Sequence, residues 1–338
     1  MYKRQAGASQ SAVVFLTIYP GARPVGMGGA YVGLAEGPLA TYYNEGGLAS
    51  EKRIGAVFMH SSWLPALNSG MYYEFFGITL PTSRIGGMED IGGTFGLDII
   101  YLTTGETEAI DETGTPIAVF STFDLAVELC YGMQINERLS VGAGAKFIYS
   151  FLAPTWIVQR ILHKTGGGKG TSWAIDVSML YKILPKLGLG ISLQNLGPDI
   201  TYLGDEGQYD PLPRMIKAGF AWKLVEDELQ TLTALMDISY VFAGVESNYS
   251  RIGEDYTFGD FISDEWEEVW KSCGLEYNYY NFLSARIGYF IDSAGERVGF
   301  TFGGGLEYQD KLELNVGVDS DIYSFDCSNY RISLTLFF

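Results

Sequence analysis

Long hydrophobic runs are missing from this sequence. No window of its 338 residues holds the roughly 18 consecutive apolar residues that a membrane-crossing helix needs, although 47% of the residues are apolar. Histidine is nearly absent: His60 and His163 cannot be placed in a Ser–His–Asp arrangement, and they have no spaced partners for a metal site. No catalytic residue, cofactor or metal is therefore expected. The three cysteines, Cys130, Cys273 and Cys327, fit no metal or redox spacing, and an odd number cannot form a fully paired framework. Cys130 and Cys273 fall in expected strands, as small apolar filler.

Charge is also scarce, at 18% of residues, which is low for a soluble protein of this size. Basic residues are the scarcer kind, and the net charge of -18 excludes a nucleic-acid partner, because a phosphate backbone needs a basic surface. The acid concentrates in a few places, notably Glu246 to Glu268, as a solvated face with room for a cationic or protein ligand. Gly26, Gly28 and Gly29 lack the strand–helix context of a dinucleotide loop. Gly166-Gly167-Gly168-Lys169-Gly170-Thr171 has Gly where a phosphate loop needs Ser or Thr after the lysine, and reads better as a polar hairpin tip.

What the sequence does have is alternation. Aromatic residues make up 14% and the 43 glycines lie inside apparent strands rather than in a linker. From about residue 54 one unit repeats: about ten residues of period two, then polar or Gly-rich residues. Phe123, Leu125, Val127, Leu129 and Tyr131 oppose Asp124, Ala126, Glu128, Cys130 and Gly132. Trp173, Ile175, Val177, Met179 and Tyr181 oppose Ser172, Asp176, Ser178 and Lys182. About fourteen such runs are expected, near 54–63, 71–80, 92–103, 120–133, 139–151, 171–183, 187–195, 214–224, 230–243, 269–278, 282–291, 297–309, 311–319 and 329–338.

Connection lengths separate a barrel from a sandwich. Asn136-Glu137-Arg138, Leu184-Pro185-Lys186, the turn near Glu226-Asp227-Glu228, Tyr279-Tyr280-Asn281 and Asp310 are tight. Between them fall long links at 104–119, 152–170, 196–213, 244–268 and 320–328; the 81–91 link breaks the parity. A transmembrane barrel has short turns at one rim and long loops at the other, and a soluble sandwich has no reason to keep that order. The expected fold is all-β: a transmembrane antiparallel β-barrel over 54–338.

Lipid must meet the apolar face. The other face carries Asp98, Asp124, Glu128, Lys146, Asp176, Asp237, Glu276, Arg286, Glu307, Glu313 and Arg331. A basic side chain at the bilayer midplane costs about 2–4 kcal/mol, so these charges belong in the lumen. There Asp124, Glu128 and Asp176 would pair with Lys146, Lys182, Arg286, Arg331 or Arg23. Tyr330, Ile332, Leu334, Leu336 and Phe338 form a last apolar face with a terminal Phe, resembling the signal read by the barrel-assembly machinery. The location expected is the outer membrane of a Gram-negative-type bacterium. No secretory signal follows Met1-Tyr2-Lys3-Arg4-Gln5, so those five residues are set aside as foreign to the fold, 1–20 is read as a tail, and a signal is expected upstream.

Residues 21–53 break the strand pattern. They are small-residue-rich and could cross a barrel interior as a plug in the lumen. Gly21-Ala22-Arg23-Pro24-Val25-Gly26-Met27-Gly28-Gly29-Ala30-Tyr31-Val32, followed by Asn44-Glu45-Gly46-Gly47-Leu48-Ala49, resembles the N-terminus of the PorV/PorQ family within the wider FadL-like superfamily. Gln194-Asn195-Leu196-Gly197-Pro198 with Asp210-Pro211-Leu212-Pro213-Arg214 is similar to that family's mid-barrel signature. So are Leu275-Glu276-Tyr277 and Ala285-Arg286-Ile287-Gly288-Tyr289-Phe290. The family's usual Asn-Pro-Ala-Gly is replaced here by Asn44-Glu45-Gly46-Gly47.

The resemblance implies a 14-stranded barrel with a lumenal hatch, and one of two roles. A PorV-like member would bind the C-terminal domains of secreted cargo, beside other subunits of a type IX-like secretion system. A FadL-like member would pass hydrophobic molecules such as fatty acids. For the first role, Asp264-Glu265-Trp266-Glu267-Glu268 and Trp270 combine aromatic anchors with a charged rim, or else Trp266 and Trp270 belong to the interfacial aromatic girdle. For the second, the loop from Leu152 to Leu162 carries Trp156, Ile157, Val158 and Ile161. It is either an exposed greasy patch or a loop folded over its own barrel mouth.

Overall fold

Fourteen strands pair with their neighbours in an antiparallel ring. In chain order they are β1 (Gly55–Ser62), β2 (Tyr72–Pro81), β3 (Thr94–Ile110), β4 (Pro116–Gln134), β5 (Leu139–Phe151), β6 (Lys169–Leu184), β7 (Leu187–Leu196), β10 (Met215–Glu226), β11 (Gln230–Val241), β12 (Trp270–Tyr279), β13 (Leu283–Asp292), β14 (Arg297–Tyr308), β15 (Leu312–Asp319) and β16 (Asn329–Phe337). A separate ribbon pairs β8 (Ile200–Thr201) with β9 (Tyr209–Asp210). The ring closes where β1 meets β16, from Gly55↔Phe337 to Ser62↔Tyr330. The computed structural model describes residues 11–67, 70–163, 166–203, 209–242, 257–320 and 327–338.

One rim, the turn end, is made by short connections, except for 82–93 between β2 and β3. Tyr280-Asn281 and Gln309-Asp310 turn with both residues at positive φ, which matches the twist of paired strands and suits Asn and Asp. The other rim, the loop end, carries the long segments. One expected long link is different. Between β3 and β4 the pairing continues from Gly105↔Thr122 to Ile110↔Pro116, so most of 104–119 is strand and only 111–115 turns. The period-two signal fades there because Thr- and Glu-rich strands beyond the apolar belt have water on both faces. Threonine still favours the extended backbone.

The two faces of the ring are chemically opposite. Along β16, Asn329, Arg331, Ser333 and Thr335 point inward and are buried, while Tyr330, Ile332, Leu334 and Leu336 point outward and are exposed. Leu129, Phe147, Trp173, Phe300 and Phe302 extend that outward belt around the barrel. Water does not solvate a continuous apolar girdle of this kind and a bilayer does. No helix among the described residues is long and apolar enough to cross a membrane.

Residues 11–50 lie within the ring. Ala22 N–H donates to Ser333, Gly28 N–H to Thr301, Gly46 N–H to Ser178, and both Tyr31 and Val32 N–H to one oxygen of Asp237. Residues 11–20, read from sequence as a tail apart from the hatch, are packed with it. Tyr42 and Tyr43 donate to the Leu16 and Pro20 carbonyls and Tyr73 of the wall to Ile18, while Phe15 and Leu16 are fully buried. Each such side chain is worth about 1.5–3 kcal/mol when removed from water, so apolar residues in this segment go where the chamber is.

The strand glycines now have a use. A Cβ on Gly288 would stand 2.2 Å from the Gly28 nitrogen, and one on Gly190 would stand 2.1 Å from the Val32 carbonyl oxygen. Lumen-facing glycines leave space for hatch backbone to lie directly on the wall.

Candidate functional site

The inner wall and the hatch form one polar network. At mid-height, Asp98, Glu128 and Lys146 share a register row, Asp98↔Glu128 and Glu128↔Lys146. Lys146 Nζ lies 3.1 Å from Glu128 Oε2 and 2.8 Å from Asp176 Oδ2, and donates to Asn195 Oδ1 at 3.0 Å. Asn195 adopts a left-handed backbone (φ 59°), donates its N–H to Asp176 and its side-chain amide to the Pro213 carbonyl. The two mid-barrel sequence elements therefore meet, through Asn195 and through Arg214, which donates to the Gly197 carbonyl. Glu45 enters this cluster from the hatch with a hydrogen bond from Ser178. Burial, reinforced by the negative charge of Asp176, pushes the Glu45 carboxyl up to about 8.

Toward the turn end, Arg23 grips Glu276 with two hydrogen bonds, while Arg286 of the next strand donates to the same carboxylate at 2.6 Å and to Asn315 at 2.8 Å. Toward the loop end, Arg331 pairs with Asp319 at 2.7 Å beneath the Trp63 ring. Asp124 is in the lumen as expected from its strand position, yet it forms no ion pair among the described residues. Lys182 is exposed near the turn end.

Lys217 was missed as a site residue. Its Nζ sits 4.3 Å from the Tyr42 ring centroid, 5.1 Å from Tyr19 and 5.7 Å from Tyr43, fully buried. The signal was present: a lone basic residue on the inward face of the alternating strand Met215, Lys217, Gly219, Ala221. Burial raises the Tyr42 and Tyr43 hydroxyls, which keeps them neutral hydrogen-bond donors. Glu45 was quoted only as a departure from the family motif, and that departure was its signal.

The hatch divides the lumen unequally. On the turn-end side a cavity of about 580 Å³ is polar, lined by Arg23, Glu276, Arg286, Glu307, Glu313 and Asn315 among others. On the loop-end side Val13, Phe15 and Leu16 of the hatch join Trp63, Tyr73, Leu102, Ile200 and Leu212 in an apolar cluster. A smaller cavity of about 30 Å³ borders Tyr19, Trp270 and Phe290.

The expected hatch residues take distinct places. Arg23 is the clamp on Glu276; Gly28 and Gly29 turn with positive φ; Gly26 lies against Gly303 of the wall. Gly47 is seated on the Ala35 carbonyl, where no Cβ fits, and Asn44 caps its own turn while donating to the Val32 and Met179 carbonyls.

The expected rim residues are only partly at the surface. Residues 155–162 form a helix, not an extended loop, because Ile157, Val158 and Ile161 repeat at helical spacing. Ile157 and Val158 are buried under that helix against the barrel mouth, Ile161 is half-buried, and Trp156 alone of the four is exposed, at 50%. A second helix, Phe258–Glu268, starts with a reciprocal cap in which Thr257 and Asp260 each bond the other's backbone. It exposes Phe258, Ile262 and Trp266 along one face, with Asp264 and Glu267 beside them; Glu265 takes a hydrogen bond from Tyr240. Glu268 and Trp270 are corrections: both are buried. Trp270 begins an inward-facing run of β12 and stacks edge-on against Tyr19 and Phe290, so it belongs neither to a binding loop nor to the outer girdle. Tyr330 and Phe338 point outward at opposite ends of the last strand.

No protein-family profile and no curated protein matches the chain. Solved structures do. The chain is similar in fold to the toluene transporter TodX of P. putida, with a TM-score of 0.54, 13% identity, and coverage of 94% of this chain and 98% of that one. It is also similar to the toluene transporter TbuX of Ralstonia pickettii (TM-score 0.52, 12% identity, 94% and 98% coverage) and to the monoaromatic hydrocarbon channel CymD (TM-score 0.52, 14% identity, 94% and 97% coverage). What is shared is the fold, along nearly the full length of both chains.

Proposed function

We propose that this chain is an outer-membrane channel for hydrophobic small molecules, held closed by its own N-terminal hatch. The carrying observation is an uneven lumen: Val13, Phe15, Leu16, Trp63, Tyr73, Leu102, Ile200 and Leu212 form the loop-end part of an apolar cluster that continues into the hatch, and a charged cavity lies on the turn-end side. An apolar solute from outside gains by entering the first compartment, and the buried ion pairs bar its way through the second. Phe15 and Leu16 fill the apolar compartment, so solute would take their place. The apolar outer belt supports a bilayer setting, and in this reading the barrel stands in the outer membrane with its loop end outward. The likeness to toluene transporters and a hydrocarbon channel supports the same direction for the solute class, with fatty acids or monoaromatics as candidates. Uptake of radiolabelled toluene and oleate by cells with and without the gene is the test. Gene-dependent uptake that falls with Trp156→Asp at the mouth is expected; identical uptake in both strains would refute the proposal.

A second reading, cargo binding in a PorV-like secretion component, is favoured by one specific surface. Phe258, Ile262 and Trp266 form an exposed row on an acidic helix at the loop end, a combination suited to holding a protein. Secretion of cargo carrying a C-terminal signal domain should fall with Ile262→Asp/Trp266→Ala. Unchanged secretion would remove this reading. In either role, Phe338 would serve recognition by the barrel-assembly machinery, and its deletion should lower the yield of folded barrel in membranes.

A further inference from the structure

Four carboxylates and one ammonium meet inside the wall where the hatch touches β3–β6. Glu45, Glu128 and Asp176 each offer an oxygen, and these atoms lie within 4.8 Å of one another. Asp98 stands beside Glu128 in the strand register and is fully buried. Lys146 engages Glu128 Oε2 and Asp176 Oδ2, and Ser178 engages Glu45 Oε2. Glu45 Oε1, Glu128 Oε1 and both oxygens of Asp98 are buried without a hydrogen-bond partner among the described residues.

Such a surplus of buried anionic oxygen is costly unless something positive is shared among them. Lys146 supplies one charge against four carboxylates. The donor atoms are all hard oxygens. At Ca–O distances of roughly 2.3–2.6 Å, oxygens around one ion stand at most about 5 Å apart, and the three oxygens here fall within that limit. Mg²⁺ keeps several of its waters and is seldom held by a set made only of protein ligands, so a site built of protein carboxylates suits Ca²⁺ better.

We propose that Glu45, Glu128 and Asp176, backed by Asp98, form a Ca²⁺ site that ties the hatch to the barrel wall. The inference does not depend on what passes through the barrel. Glu45 is the one ligand carried by the hatch, so the ion adds a further bridge between hatch and wall.

The test uses the full chain, refolded in detergent micelles free of lipopolysaccharide, so that lipid-bound calcium does not contribute. Elemental analysis and calcium titration calorimetry should show one Ca²⁺ per chain. Thermal unfolding should shift downward with EDTA and recover with Ca²⁺ more fully than with Mg²⁺. Glu45→Gln should weaken Ca²⁺ binding by roughly 10–100-fold, and Asp98→Asn should weaken it in the same direction. Should Glu45→Gln fail to fold, the EDTA response of the unaltered chain still decides. A protein that holds no calcium, and whose unfolding ignores both EDTA and Ca²⁺, would overturn the site and leave protons as the balancing charge.

Discussion

Arg23 of the hatch and Glu276 of β12 are joined by two parallel hydrogen bonds, Nε to Oε2 and Nη2 to Oε1, each 2.8 Å long. The Glu276 side chain is almost wholly buried, and Arg286 holds it from the wall side. This fork is a charged fastening between a segment that could move and a cylinder that cannot.

Breaking it should be expensive. Removing one partner of a buried pair costs about 3–5 kcal/mol, because the other charge is left unpaired. Arg286 stays to neutralise Glu276, so Arg23→Ala should fall at the lower end of that range. The expected outcome is a hatch that loosens while the barrel persists, read as higher ion conductance in planar bilayers with unchanged heat-modifiable mobility on gels.

Gly288 offers a sharper probe of hatch seating. A valine there would collide with Gly28 and Met27 backbone, its Cβ already 2.2 Å from each and far inside van der Waals contact. Gly288→Val should expel the Met27–Gly29 turn and expose the neighbouring Tyr31–Val32 bond to chymotrypsin, whereas Gly304→Ala, whose nearest neighbour is 3.6 Å away, should behave as wild type. Equal chymotrypsin resistance in both variants would contradict the seating described.

For Lys217 the magnitudes decide the sign. Three ring faces contribute about 0.5–2 kcal/mol each to a desolvated cation, while burying an ammonium with no hydrogen-bond partner costs several kcal/mol. Desolvation is the larger effect. Lys217→Met should therefore keep or raise the unfolding midpoint in guanidinium, and a drop of more than about 1 kcal/mol would show that the tyrosine cage outweighs it.

Glu45 sets a pH dependence. Its folded carboxyl titrates at about 8, above its ordinary 4.5, chiefly from burial. A raised acid contributes stability that is complete below the unfolded value and is lost as pH climbs through the folded one. In EDTA, stability should thus fall between about pH 4.5 and 8, and Glu45→Gln should flatten that slope. A stability that rises across this window in the unaltered chain would reverse the assignment.

The helices at the rim show where reading from sequence stops. For Val158 the sequence left open an exposed greasy patch or a loop folded over the barrel mouth, and for Trp270 a binding surface or the outer aromatic girdle. Val158 falls on the covered face of a helix whose spacing was already visible in Ile157, Val158 and Ile161. Trp270 required knowing where β12 begins, since a shift of one residue moves a side chain from one face to the other. Glu45 and Lys217 were harder still, because their partners come from segments more than a hundred residues away in sequence.

By itself the sequence determined the barrel: period-two alternation specifies which face each side chain takes, and turn length specifies which rim each connection joins, both properties of neighbours along the chain. Only the tertiary structure decided which lumen charges meet. Arg23 finds Glu276 and Glu45 finds Ser178 because the path of the hatch inside the closed ring sets the distances between them, and no local pattern encodes either. Burial then gives those meetings their strength, by removing the water that would otherwise have solvated each charge separately.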